Sequence, residues 1–172
     1  APNFKAKTSL GEIDFYEYLG NSWAVLFSHP GDYTPVCTTE LGRTASLKDE
    51  FDKRNVKVIA LSVDSVESHK DWIGDINETQ NVEVKFPIIA DENKEIAEMI
   101  LAKGVEVNVG EGGSPPIHGA VMFNQIEMIT WLIAKGADTH IKNYEGKTPL
   151  KAAREMKREA VAELLQKNGA SE

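Results

Sequence analysis

Cysteine is nearly absent from this chain: Cys37 is the single one in 172 residues. A lone cysteine closes no internal disulfide, so the fold rests on packing, which suits a reducing compartment, the cytoplasm by default. The four histidines, His29, His69, His118 and His140, show no zinc-like spacing, and neither a metal nor another cofactor is expected. Long hydrophobic runs are missing too. No stretch approaches the eighteen or so apolar residues of a spanning helix, and the opening "APNFKAKTSLGEIDF" has no apolar signal core, so a soluble chain without a membrane partner is expected. Positive charge is in deficit: 19 Lys and Arg stand against 27 Asp and Glu, a formal net charge of −8. The basic residues are scattered among acids. Such a surface repels phosphate backbones and argues against nucleic acid as a partner.

What is present falls into two halves. Up to about Ala90, short apolar strands alternate with amphipathic helices. "WAVLF" (Trp23 to Phe27) and "VKVIALSV" (Val56 to Val63) are β-branched and nearly continuously apolar, as central strands covered on both faces are. Between them, "TTELGRTASLKDEFDKR" places Leu41, Ala45, Leu47 and Phe51 at helical spacing and predicts a crossover helix. Asp64 or Ser65 caps a second helix whose apolar face holds Trp72, Ile73 and Ile76, and "KFPIIADENKEIAEMI" reads as strand, turn and helix. This order implies an open, mostly parallel α/β sheet with right-handed crossovers.

In such sheets chemistry gathers just past the carboxyl ends of central strands, and Cys37 lies there. Pro30 and Pro35 stop the strand, and a helix starting near Thr34 or Pro35 puts the sulfur in its first turn, where free N–H groups and the helix dipole favour a thiolate. The alternative, a small buried apolar residue, is the common fate of an isolated cysteine.

The spacing of Pro30, Thr34 and Cys37 in "HPGDYTPVCTTELG" resembles the PxxxTxxC signature of peroxiredoxins, with flanks most like the 1-Cys branch. "DKRNVKVIALSVDSVESHKDWIGDINET" and "FPIIADENKEIAE" are similar to the same family in the same order, so the resemblance covers roughly residues 1 to 95. It implies a thioredoxin-like fold whose Cys37 attacks the O–O bond of a peroxide and becomes a sulfenic acid. Thr34 would hydrogen-bond the thiolate or peroxide, Pro30 would shield the sulfur, and His29 would sit beside the site. With no second cysteine in the chain, an external thiol reductant, glutathione or a carrier protein, would resolve the sulfenic acid.

The family's chain continues into an antiparallel strand pair carrying an arginine that completes the site. Nothing after Ile100 resembles it. After Arg54 the only arginines are Arg154 and Arg158, both in a helix-like run, so activity weakened by about two to three orders of magnitude is expected. The missing pair would also leave "WAVLF" with an open edge that another part of the chain, or a second copy in a homo-oligomer, must cover.

From about Asn93 the chain changes character. "AEMILAKGVEVN", "ITWLIAKGADTH" and "AELLQKNGASE" vary one phrase, and Gly104, Gly136 and Gly169 stand 32 and then 33 residues apart. "PPIHGA" and "TPLKAA" resemble the ankyrin TPLHxA element, so residues 94 to 172 read as ankyrin repeats: helix pairs joined by the loops "VNVGEGGS" and "HIKNYEGK", with a possible protein partner on their face. In "GEGG", Gly113 matches Gly146 as a turn glycine, and no phosphate loop is expected. Met99, Trp131 and Leu164 are expected in the repeat core. Gln166 and Lys151, standing where earlier repeats have Ile133 and His118, mark a polar C-terminal cap.

The expected architecture is therefore α/β plus an all-α repeat, with a truncated thioredoxin-like part over 1–93 and an ankyrin part over 94–172. The two meet without a linker in one helix, "ENKEIAEMILAKG", and neither half is complete, which implies a shared core. Such a splice suggests an engineered chimera more than a natural fusion. Two function classes follow: a 1-Cys thiol peroxidase, or a non-enzymatic scaffold that binds protein through its repeats.

Overall fold

The computed structural model describes residues 1–108 and 115–171. The "GEGG" segment and the matching of Gly113 with Gly146 lie outside the described residues. The chain divides into two compact units, Ala1–Lys103 and Gly104–Glu172.

The first unit is built on a five-stranded mixed sheet. An N-terminal hairpin, β1 (Lys5–Thr8) and β2 (Gly11–Asp14), leads into the short helix α1 (Phe15–Leu19) and then β3 (Trp23–Ser28). Two helices follow, α2 (Pro35–Ser46) and α3 (Lys48–Lys53), then β4 (Val56–Ser62), α4 (Val66–Gln80), β5 (Ile88–Ala90) and α5 (Glu95–Leu101). β3, β4 and β5 pair in parallel, while β1 runs antiparallel to β5 and to β2.

β4 shows why the nearly unbroken apolar run is needed. Val58 and Ala60 point to one face, with Leu41, Trp72, Ile76 and Phe86. Ile59 and Leu61 point to the other, with Phe4, Phe15, Ile89 and Ile96. Successive side chains alternate faces, so only a strand covered on both sides buries every residue. Each large apolar side chain buried this way stabilises the fold by about 1.5–3 kcal/mol.

Three sequence expectations need correction here. The strand order is β2-β1-β5-β4-β3, so β3 is the edge strand that the missing strand pair implies and not the central one that its apolar run suggests. On its outer part Trp23 is 77% and Val25 43% exposed. Apolar composition reports neither the number of hydrogen-bonded neighbours nor, in this strand, cover on both faces, since no residue of β3 is fully buried. Second, the expected single crossover helix is two: Leu47 sits at φ −96°, ψ 6°, and its N–H bonds to Thr44, a tightened turn that ends α2 and starts α3. Third, the sheet is mixed, because the short hairpin "KAKTSLGEID" supplies two antiparallel strands. Ser65 does cap α4, accepting from the Ser68 N–H at 3.2 Å.

Where α2 passes α4, Gly42 admits the close approach: a Cβ there would lie 2.8 Å from Gln80 Cβ and 2.6 Å from its Cγ. Gly42→Ala is therefore expected to push the helices apart and destabilise this unit by about 1–3 kcal/mol, read as a lowered denaturation midpoint. An unchanged midpoint would mean that Gln80 moves aside freely.

The second unit consists of helix pairs: α6 (Pro116–Met122) with α7 (Ile126–Ala134), and α8 (Pro149–Glu155) with α9 (Glu159–Lys167). Gly104, Gly136 and Gly169 all adopt φ near +90°, the conformation that makes glycine recur at the end of each phrase. Thr148 caps α8 through its hydroxyl, and buried His118 donates from Nε2 to the Ile141 carbonyl at 2.8 Å, tying a helix to the following loop. Ile117, Ile129, Leu132, Leu150, Val161 and Leu165 form this unit's own core. The expected core stripe is only partly so. Met99 is 37% exposed, and Trp131 and Leu164 are half-buried. The adjoining register, Leu132 and Leu165, holds the centre. Gln166 and Lys151 are exposed, as a polar cap requires. Among the described residues no helix is long and apolar enough to cross a membrane.

Candidate functional site

β3 ends at Ser28, and His29 extends the parallel pairing by one residue, its N–H donating to the Leu61 carbonyl at 3.0 Å. Half-buried Pro30 has no N–H to continue the ladder, so the chain leaves the sheet. Tyr33, at φ +58°, reverses it in a conformation uncommon for a residue with a side chain. Thr34 then becomes the N-cap of α2 and Pro35 its first residue, which places Cys37 in the first turn, only 5% exposed. Local chain chemistry thus delivers Pro30, Thr34 and Cys37 to the carboxyl end of β3, as the spacing predicts.

Ionisation of the thiol runs against the sequence expectation. Burial pushes the Cys37 thiol up, and the negative charges of Glu40 and Asp32 add to this, while the Thr34 hydroxyl pulls it down. The helix N-terminus does not overcome the loss of water. Thr34, itself buried, also directs its hydroxyl at the Gly31 carbonyl, 3.1 Å away, and makes no capping bond to its own helix.

Beside the thiol lies a buried polar network. The Asp32 side chain is 2% exposed and accepts from three groups: His29 Nε2 at 3.0 Å on Oδ1, and His69 Nδ1 at 2.8 Å and the Ser68 hydroxyl at 2.7 Å on Oδ2. Burial acts to raise the Asp32 carboxyl, but these hydrogen bonds outweigh it and bring it down to about 2. The Asp32 N–H is anchored on Asp64 Oδ2 at 2.9 Å, which also accepts the Ser62 hydroxyl at 2.8 Å. His69, wholly buried on α4, reaches the Ile89 carbonyl of β5 with Nε2 at 3.2 Å. The His29 ring packs 5.0 Å from Trp72, and Trp72 Nε1 donates to the Thr38 hydroxyl one residue past the cysteine. Cys37 and Trp72 share one buried cluster.

Sequence reasoning missed Asp32, Ser68 and the role of His69. One signal was available: His69, Trp72 and Ile76 recur at i, i+3 and i+7 on the apolar face of α4, where a polar side chain must have a partner. His29, Asp32 and Asp64 also bring ligand-capable atoms within 4.8 Å of one another, a grouping invisible in histidine spacing alone. Both carboxylates already accept protein hydrogen bonds, which account for the grouping without an ion.

The AhpC/TSA family model matches residues 1–114, and a model of ankyrin repeats in three copies matches residues 87–172. Among curated relatives, the mitochondrial peroxiredoxin PRX1 of Saccharomyces cerevisiae is 57% identical over 128 residues, covering 72% of this chain and 49% of the relative. Peroxiredoxin-6 of Mus musculus is 57% identical over 127 residues, covering 72% of this chain and 56% of its own. The chain spans about half the length of the curated relatives it matches. A solved structure of the yeast mitochondrial 1-Cys peroxiredoxin, described as resolved through glutathione and thioredoxin systems, aligns with a TM-score of 0.57 at 60% identity, over 58% of this chain and 47% of that one. A mutant of the Peroxiredoxin 6 of Arenicola marina aligns with a TM-score of 0.55 at 51% identity, over 58% and 46%.

Proposed function

Since the chain belongs to the AhpC/TSA family over its first two-thirds and carries ankyrin repeats over its second half, we propose that it is a peroxiredoxin-type thiol peroxidase with reduced activity, joined to a protein-binding repeat. The observation that carries this is the placement of Cys37: first turn of α2, carboxyl end of β3, buried with Thr34 at the N-cap. In its thiolate form Cys37 attacks one oxygen of a hydroperoxide. The S–O bond forms as the O–O bond breaks, and the departing oxygen takes up a proton to leave as alcohol or water. The sulfur is left as a sulfenic acid. An external thiol then attacks that sulfur, releasing water and leaving a mixed disulfide, which a second thiol reduces. Pro30 restricts water at the thiol, and Thr34 steadies the thiolate. Without the family's arginine the attack is slow.

Both family matches cover residues 87–114, which supports α5 as the helix common to the two families; a boundary near residue 93 and a chimeric origin belong to the same reading. The open edge of β3 offers pairing to a second copy, and a reducing compartment is where a lone thiol would persist.

Treating the full chain with stoichiometric hydroperoxide in the presence of a sulfenic-acid trap tests the activity. Labelling at Cys37 faster than that of a free thiol is expected. A rate no faster would favour the second reading, a non-catalytic scaffold that binds protein through the repeats. One observation favours that alternative: burial raises the Cys37 thiol instead of activating it.

A further inference from the structure

Proton positions in the buried network follow from its acceptors. Each ring nitrogen of His69 faces an oxygen: Nδ1 the Asp32 carboxylate, Nε2 the Ile89 carbonyl. A carbonyl has no proton to give, and Asp32, brought down to about 2, has none either. Both bonds are made only when both nitrogens of His69 are protonated. Asp32 then has its charge balanced from α4, and its other oxygen is satisfied by a neutral His29 that donates from Nε2. In that tautomer His29 Nδ1 is a bare lone pair. It is buried and has no hydrogen-bond partner among the described residues, which a native site tolerates only for a reason.

We propose that His69 is a positioning residue: a buried imidazolium that neutralises Asp32 and so holds His29 in the neutral Nε2–H form, reserving His29 Nδ1 as an acceptor for a ligand that presents an O–H. On the peroxidase reading, on which only the identity of the ligand rests, that ligand is the hydroperoxide. The groups that set this balance are Asp32 and His29 from the loop after β3, Ser68 and His69 from α4, Asp64 through the Asp32 N–H, and the Ile89 carbonyl of β5. Remove the charge on His69 and the uncompensated carboxylate draws a second proton onto His29. Its Nδ1 then becomes a donor and the acceptor is lost.

Proton-coupled ¹⁵N spectra of the histidine rings in the full chain test this without reference to activity. At pH 7, His69 is expected to show two protonated nitrogens, and His29 a protonated Nε2 with a bare Nδ1. In His69→Gln, His29 is expected to gain its second proton at pH 7, and in the double variant with Asp32→Asn to lose it again. A bare nitrogen on His69 in the unmodified protein overturns the proposal, and that measurement suffices where a variant fails to fold. An unchanged His29 in a folded His69→Gln overturns it equally. Should Cys37 prove no faster than a free thiol while the spectra are as expected, the peroxidase reading falls and the proton arrangement stands.

Discussion

Asp32→Ala is expected to destabilise the first unit by about 3–5 kcal/mol, the range for removing one partner of a buried charged network. Three donors lose their acceptor at once: His29 Nε2, His69 Nδ1 and the Ser68 hydroxyl. The two histidines cannot turn to water, because both are buried and their rings are held by Trp72 and by the Ile89 carbonyl. Against a total stability of about 5–15 kcal/mol this is a large fraction. The same carboxylate predicts an acid limb. Its folded value, about 2, lies below the ordinary value of 3.8, so the contribution is fully present above about pH 4 and is lost as pH falls from there through about 2. Integrated, that is roughly 2 kcal/mol. Denaturant midpoints at stepped pH should therefore show the gap between the unmodified protein and the variant narrowing over that window. Parallel curves would mean that Asp32 titrates no differently when folded.

Cys37→Ser is expected to abolish peroxide-dependent sulfenic acid in the chain, since no other cysteine exists. More telling is the pH dependence of the unmodified protein. Burial, with Glu40 and Asp32, raises the thiol above its ordinary range, so the thiolate fraction should climb about tenfold per pH unit through neutrality and still be rising near pH 9. Thr34→Val removes the one side chain that pulls the thiol down and should slow the reaction at pH 7 by roughly ten- to a hundredfold, the worth of a hydrogen bond to a charged group. Alkylation rates from pH 6 to 10 measure both effects. A plateau below pH 8 in the unmodified protein would contradict the burial effect, and equal rates for Thr34→Val would remove Thr34 from the site.

The local parts of the site were legible in the order of residues. Proline at 30 and 35, threonine at 34 and cysteine at 37 act through neighbours a few positions away, by blocking a ladder, standing at the start of a helix and filling its first turn. The repeat glycines were legible for the same reason, because a left-handed φ is a local demand. Boundaries set by contact were less so. Leu47 looks like one more apolar position of a single helix until its turn tightens, and Trp131 looks like core until its neighbour Leu132 takes the centre.

The sequence by itself determined that this chain holds one thiol, a βαβ framework in which the helix after strand β3 starts at that thiol, and a 33-residue helical repeat, because each follows from covalent composition or from periodicities of 2 and 3.6 that any short segment displays. Only the tertiary structure decided that an N-terminal hairpin makes the sheet mixed, that the thiol is raised and not lowered, and that Asp32 meets His69 across 37 residues of chain. Strand order, solvent exclusion and a hydrogen bond between distant elements are properties of how segments come together, and no single segment carries them.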